Sequence, residues 1–352
     1  MKPKTRKNII RVVWGTIGLA AVIAIIAGFL FWRAVYKNNV NLPAGTVDYL
    51  YLKTGSDYDE LIRTLDEGNF LKNTKTFKWL AVRKNLPGHI YPGRYEIRAG
   101  MSNDELIDML RSGAQKPLNV IFNNLRTLKQ LAGVVGAQIE ADSASIISCI
   151  SGEDFEKKYG FNLKMAPAMF IPNTYEFYWN TSAAQFADRM HKEYQRFWNE
   201  ERVDKAKLQK LTPAEVSVLA SIVDKETIRN DEKATIAGVY LNRLRKGWKL
   251  QADPTTVYAF FLETDSVLHR VYRKHTRMDS PYNTYVVKGL PPGPICLPSI
   301  SSIEAVLNPG DHDYMYFVAK ADGSGYHHFS KTYRQHLRYA REYYVGLKKS
   351  NL

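Results

Sequence analysis

The sequence predicts an α+β protein: a single N-terminal transmembrane helix, small strand-helix subdomains behind it, and a mixed α/β domain that closes the chain. Three observations carry this. Residues 12–32 are uncharged and almost wholly apolar; two segments repeat at a 45-residue offset, each reading as a strand followed by a capped helix; and the C-terminal half alternates amphipathic helices with Pro- and Gly-rich loops before a strand, turn, strand and basic helix. With 352 residues, 45% of them hydrophobic and 12% aromatic, the chain can bury more than one core. Disorder, a collagen-like repeat and a disulfide-stapled mini-protein are excluded by the same composition.

The apolar run VVWGTIGLAAVIAIIAGFLFW is bounded by Arg11 and Arg33. As a helix rising about 1.5 Å per residue it spans about 30 Å, the thickness of bilayer hydrocarbon. Lys2, Lys4, Arg6, Lys7 and Arg11 precede it with no acid among them, so the N-terminus stays in the cytoplasm and everything after Arg33 is exported. A cleaved signal peptide is the alternative. The run is longer than an ordinary signal core, however, and bulky FWRAVYK stands where a small-x-small cleavage site would be. The formal charge of +14 suits nucleic acid, anionic lipid or an acidic polymer. Export removes nucleic acid as a partner. Cys149 and Cys296 lie far apart with no CxxC and no histidine spacing for zinc; one disulfide and two free thiols both remain open.

These signals divide the chain into a cytoplasmic basic segment (1–11), the anchor (12–32), a tether (33–45), a repeat region (46–124), a helical connector (125–164) and a C-terminal domain (165–352). In the repeat region VDYLYLK (47–53) precedes GSDYDELIRTL, and RYEIR (94–98) precedes GMSNDELIDML. Ser102 and Glu105 have capping-box spacing, Ser56 or Asp57 suits the first helix, and a weaker third copy starts near Asn119. Such units resemble LysM-like carbohydrate-binding modules, which implies glycan contact; a spacer and packing platform is the other reading. Further on, FIPNTYEFYW is rich in aromatics, and one long charged helix is expected over 183–210.

Thr212-Pro213-Ala214-Glu215 is a strong helix start, with a Thr cap, Pro at the first position and Glu at capping-box spacing. Val216, Leu219, Ala220, Val223 and Thr227 then form a core-facing stripe. At about 100° per residue Glu226 falls about 80° from Val216 on the side broadened by Ile222, whereas Asp224 falls as far the other way. Glu226 is thus the acid nearer the apolar face. Desolvation there favours its neutral form, which is what a general acid needs. The alternative is a helix-end glutamate paired with Lys225, Arg229 or Lys233. Downstream, Gln251 to Thr256 suits an Asp-capped helix, and Ser280 to Tyr285 and Gly289 to Ile295 combine stiff backbone with groups suited to sugars. The proline run also fits an exposed polyproline II segment read by a partner protein.

Ala220-Ser-Ile-Val-Asp-Lys-Glu-Thr227, Ala237-Gly-Val-Tyr-Leu-Asn-Arg-Leu244, Leu250-Gln-Ala-Asp-Pro-Thr255, Tyr282-Asn-Thr-Tyr285, Gly289-Leu-Pro-Pro-Gly-Pro-Ile295 and Asn308-Pro309, in this order, resemble the YceG-like family of endolytic murein transglycosylases. These are single-pass inner-membrane enzymes of bacteria. The resemblance implies Glu226 as the catalytic acid, substrate contacts by Gln251, Asp253, Thr255, Tyr282, Asn283 and Thr284, and a groove shaped by Pro291 and Pro292. Two departures stand out: Asp224 occupies a position that is commonly Glu, and Asn173 one that is usually Asp, so Asn173 is given no catalytic task. The implied reaction is cleavage between N-acetylmuramic acid and N-acetylglucosamine inside nascent glycan strands. It leaves 1,6-anhydro ends, limits strand length and needs no metal or organic cofactor. Peptidoglycan strands, the inner membrane and peptidoglycan synthases are the implied partners. Two alternatives remain: a muramidase using water with Asp253 or Glu215 as second carboxylate, and a non-catalytic glycan-binding scaffold.

Overall fold

The computed structural model describes residues 3–350; Lys2 of the basic segment lies outside them. The chain forms two compact units, one of Met1–Leu118 with Glu176–Asn180, the other of Asn119–Tyr175 with Thr181–Leu352.

In the first unit, helix α1 (Pro3–Tyr36) contains the apolar run, and the most apolar stretch of 18 residues within Ile10–Tyr36 has a mean hydropathy of 2.3 and is unburied. It is long and apolar enough to cross a membrane. Strand β1 (Val47–Leu52), helices α2 (Tyr58–Glu67) and α3 (Thr74–Arg83), strand β2 (Gly93–Arg98) and helix α4 (Asn103–Ser112) follow. Asp57 caps α2, and Ser102 with Glu105 closes a capping box on α4. The two repeats are not separate modules. β1 and β2 pair antiparallel, Val47 opposite Arg98 and Leu52 opposite Gly93. Their inward residues Leu50, Leu52, Tyr95 and Ile97 share one core with Leu61 and Leu65 of α2, Phe77 of α3 and Leu106 and Ile107 of α4. A lone strand cannot satisfy its backbone groups, so each copy completes the other.

Nor do residues 33–45 form a free tether. Val35 and Val40 are buried, Asn38 bridges to Ser102 and Val40 to Leu71.

The second unit takes up the chain within β3 (Leu118–Phe122), followed by α5 (Leu128–Gly136), α6 (Ser143–Ser151), α7 (Glu153–Tyr159) and β4 (Asn173–Phe177), which neighbours β3 and whose last two residues are counted with the first unit. The expected connector at 125–164 is part of this unit: the Leu297 amide donates to Leu125 O at 2.9 Å, and Phe155 stacks near Phe170. The single helix expected over 183–210 is two, α8 (Ala183–Phe197) and α9 (Glu200–Leu208). Trp198 ends the first by leaving helical geometry to bury its ring, and the Asn199 side chain caps the second.

Helix α10 (Pro213–Glu226) is central, packed by α11 (Asn230–Arg245), α12 (Asp253–Thr264) and α13 (Ile300–Leu307). Thr212 and Glu215 form its capping box. Instead of one buried stripe, every residue from Val216 to Val223 is buried, Ser217 and Ser221 included. Those serines return their hydroxyls to the helix at Pro213 O and Val218 O, which makes their burial tolerable. Strands β5 (Tyr316–Ala319) and β6 (His327–Ser330) form an antiparallel hairpin, and α14 (Tyr333–Ser350) packs on it. Cys149 and Cys296 are both free; burial pushes the Cys296 thiol up to about 12.

Candidate active site

Glu226 is the last residue of α10; at Thr227 the backbone turns extended. Its carboxyl lies on a cleft of about 930 Å3 whose wall includes Arg126, Lys225, Asp253, Tyr258 and Arg270. Tyr240 of α11, wholly buried, donates its hydroxyl to Glu226 Oε1. Arg243, one turn further along α11, supports this tyrosine from behind. Its guanidinium lies 5.8 Å from the Tyr240 ring centre and is fixed by Met315 O at 2.8 Å and by Leu250 O.

Burial dominates the electrostatics of Glu226 and raises its pKa to about 7, with the nearby negative charge of Asp253 adding to the rise. The Tyr240 hydrogen bond and the Arg243 charge oppose it. The group therefore holds a proton near neutrality and can also give it up.

Asp224, two residues earlier, has 11% of its side chain exposed and is the less enclosed of the two acids, as the helical phase implied. What separates the two is polarity. Burial alone would raise Asp224, but hydroxyls of Ser299 and Ser302, the latter at 2.6 Å, and the ammonium groups of Lys233 and Lys225 hold it below the usual carboxylate range. One helix end thus presents a fixed anion and a protonatable acid, the division of environments that acid-base sites use.

The ion-pair reading of Glu226 fails. Lys225 donates to Asn124 at 2.7 Å, Arg229 to Ser324 O at 3.0 Å, and Lys233 to Ser301 at 2.9 Å and to Asp224.

Asp253 reaches the cleft. It is the first residue of α12 instead of its cap, which is Ala252, and its carboxylate accepts from the Tyr285 hydroxyl at 2.6 Å. The other expected substrate contacts lie elsewhere. Thr255, Asn283 and Thr284 have no exposed surface, and their polar atoms join the first turn of α12 to the loop that carries Asn283. Thr255 and Thr284 hydroxyls meet at 2.8 Å, Thr256 donates to Asn283 Oδ1 at 3.1 Å, and Asn283 Nδ2 donates to Met278 O at 2.7 Å. These residues hold Asp253 and Tyr285 in place from behind the wall. Tyr282 is 5% exposed and packs edge-on against Tyr258. Gln251 is exposed with positive φ, is tied by its backbone N–H to Thr284 O, and among the described residues is not part of the cleft wall.

Pro291 and Pro292 do not shape this cleft. Pro291 is buried and lines a separate cavity of about 400 Å3 with Leu211, Leu244 and Leu290. The proline run is no exposed polyproline segment either. Gly293 passes so close to Lys164 that an added Cβ would stand 2.0 Å from its carbonyl oxygen.

Sequence reasoning gave no role to Tyr240, Arg243 or Tyr285. The first two lie three residues apart in the block from Ala237 to Leu244, a buried phenol followed by a buried cation on one helix face, and that pairing was the available signal. Among the described residues no group of three or more His, Cys, Asp or Glu side chains could hold a metal.

Comparison with known proteins finds relatives along most of the chain. An endolytic murein transglycosylase of Bacillus subtilis (strain 168) is 28% identical over 340 residues, covering 92% of each chain. Another, from Streptococcus pneumoniae (strain D39), is 27% identical over 326 residues, 83% of this chain and 58% of the longer relative. The crystal structure of a putative YceG-like protein from Listeria monocytogenes superposes with a TM-score of 0.56 at 28% identity, covering 83% of this chain and 98% of that one. Since the model of the YceG-like family matches residues 50–342, which hold both acids and the whole cleft wall up to Arg270, the chain belongs to the YceG-like family.

Proposed function

We propose that this protein is an endolytic murein transglycosylase that cuts the bond between N-acetylmuramic acid and N-acetylglucosamine within nascent glycan strands. The observation that carries the reading is Glu226: a carboxyl at a cleft, raised to about 7 by burial and oriented by the Tyr240 hydroxyl. The names of the relatives from Bacillus and Streptococcus support the same substrate.

In this reading Glu226 in its acid form protonates the glycosidic oxygen. As that bond breaks, positive charge develops on the sugar ring, and the carboxylate left behind suits both roles that follow. It faces the cation, and it takes the proton from the muramoyl C6 hydroxyl as that oxygen closes on C1. The product carries a 1,6-anhydro end, no water is consumed, and Glu226 ends protonated as it began. Tyr240 moderates the acid by donating to the carboxylate form, and Asp224 stays outside the proton cycle because its own partners keep it ionised.

Asp253 supports a second reading. An ordinary glycosidase uses two carboxylates flanking the scissile bond, and Asp253 lies on the same cleft as Glu226. Glu215 drops out, since it sits eleven residues away at the other end of α10, about 16 Å along the axis, inside a capping box.

Mass spectrometry of the fragments released from purified peptidoglycan decides between the routes. Anhydro-muramoyl ends support the transglycosylase, and reducing ends bearing an added water support the muramidase. Glu226→Gln keeps shape and removes the proton, so cleavage should fall by about 10²–10⁴-fold or more while the fold is retained. Undiminished cleavage would remove Glu226 from the mechanism, and normal strand lengths in cells carrying that variant would favour a scaffold.

The apolar helix α1 supports an anchor in the cytoplasmic membrane with the N-terminus inside and the catalytic unit outside. The antiparallel pair β1 and β2 closed over two helices supports a LysM-like glycan contact in the first unit. Recruitment of a peptidoglycan synthase, and the resulting control of strand length, belong to the same proposal.

A further inference from the structure

The exported end of α1 is fixed to the first unit by a buried amide network. Asn103 Nδ2 donates to Ala34 O in the last turn of α1 at 2.8 Å, and its Oδ1 accepts from Asn39 Nδ2 at 2.7 Å. Asn39 Oδ1 in turn accepts from the Asn73 amide at 2.9 Å, where α3 begins. Asn39 and Asn103 are 7% and 1% exposed, so this is a rigid corner.

The corner encloses a cleft of about 540 Å3. Arg33, Lys37 and Lys72 line it, and no acidic residue does. All three side chains are exposed, and among the described residues none has an ion-pair partner. Leu30 forms its apolar edge, continuous with the exposed Phe29, Phe31 and Trp32 of α1.

Helix α3 extends the same surface. Its buried side carries Phe77, Leu80 and Ala81, while Lys75, Lys78, Trp79 and Val82 run along the outer side at helical spacing. Trp79 meets Phe31 edge-on at 5.8 Å, and the Arg83 guanidinium covers Trp79 at 4.0 Å. An aromatic-apolar edge bordered by cations is the composition of a surface lying at headgroup level.

We propose that this corner binds the phosphate of an anionic phospholipid headgroup, with the acyl chains lying along α1. The inference rests on α1 being a membrane anchor. A positive cluster immediately after the span opposes the charge bias that orients such helices. Three cations kept there without internal partners gain their stabilisation from the bilayer phosphate, at about fivefold in lipid affinity for each charge. The fixed corner supplies the rest, since cations on a mobile tether would follow the surface without distinguishing one lipid from another.

The test uses the full chain in nanodiscs of phosphatidylcholine with and without phosphatidylglycerol, reading the lipid that stays bound in native mass spectrometry. The wild type should retain phosphatidylglycerol in preference to phosphatidylcholine. Lys37→Gln should weaken that preference about fivefold, and the triple variant Arg33→Gln, Lys37→Gln, Lys72→Gln should abolish it. These changes favour export of the flank, so the variants remain inserted. Lys207→Gln, on α9, should change nothing. A wild type without preference, or a triple variant that keeps it, overturns the site. Displacement of phosphatidylglycerol by millimolar inorganic phosphate overturns the lipid source in favour of the free ion. Failure of the chain to enter nanodiscs overturns the anchor reading and this inference with it, an outcome separate from insertion without selectivity.

Discussion

Glu226 and Asp224 are the same chemical group two residues apart on one helix, and they titrate in opposite directions because one is desolvated near the charge of Asp253, with a single phenol as donor, while the other sits among hydroxyls and ammonium groups. Activity that needs the Glu226 proton should therefore fall as pH rises through about 7. Tyr240→Phe removes a hydrogen bond that favours the carboxylate, so the falling limb of kcat/KM against pH should move to higher pH, measurable on a soluble glycan substrate. A limb that stays put would deny Tyr240 its tuning role. The same shift has a stability consequence. A folded carboxyl at about 7 against an unfolded value of 4.5 binds its proton more tightly when folded, so stability is lost as pH climbs from 4.5 to 7 and stays lower above that window. Glu226→Gln escapes this and should be more stable than the wild type at pH 8, by on the order of 2 kcal/mol in urea unfolding, with the difference gone at pH 4.

At the level of elements, the caps were legible and the packing was not. Thr212, Pro213 and Glu215 announce α10, Ser102 and Glu105 announce α4, and the pair Ser56 and Asp57, of which Asp57 is the cap, announces α2, because capping chemistry is local. Asn199 was equally local, yet the charged pattern running through it hid the break, which exists because Trp198 turns into the core. Only the structure shows how closely α11 approaches the loop carrying Gly310 and His312: a Cβ on Gly238 would stand 2.8 Å from Gly310 O and 2.7 Å from His312 Nε2. Gly238→Ala should accordingly cost about 1–3 kcal/mol, read by chemical denaturation, and should lower activity as well, since Tyr240 lies two residues on. An unchanged midpoint would mean that the loop yields freely.

For the molecule as a whole, the second unit draws on residues well before the expected boundary at 165. Phe122 stacks on Tyr175, Asn124 accepts from Lys225 beside Glu226, and Leu125 O accepts from the Leu297 amide. A fragment of residues 165–352 should express as aggregate or molten protein, whereas one of 119–352 should show a cooperative melt and retain glycan cleavage. Soluble, cooperatively folding 165–352 would contradict the placement of 119–164 in this unit. At the front of the chain, Val35 and Ala34 O belong to the first unit's core, so truncation at residue 38 should lower that unit's stability, by about 1–3 kcal/mol for one buried aliphatic side chain and a lost acceptor.

By itself the sequence determined the apolar helix, strands β1, β2, β5 and β6, the capped starts of α2, α4 and α10, and which acid at the end of α10 lies nearer the apolar face, because periodicity, capping and helical phase are properties of short stretches of chain. Tertiary structure alone decided that β1 pairs with β2, that Ser217 and Ser221 are buried, that Thr255, Asn283 and Thr284 brace the cleft from behind, and that Pro291 faces a different cavity. It alone brought Tyr240, from fourteen residues downstream, onto Glu226, and Asp253 onto the same cleft. The physical reason is common to all of these. Whether a polar side chain meets solvent, ligand or another side chain depends on which distant segment covers it, and the desolvation that raises Glu226 exists only once that cover is in place.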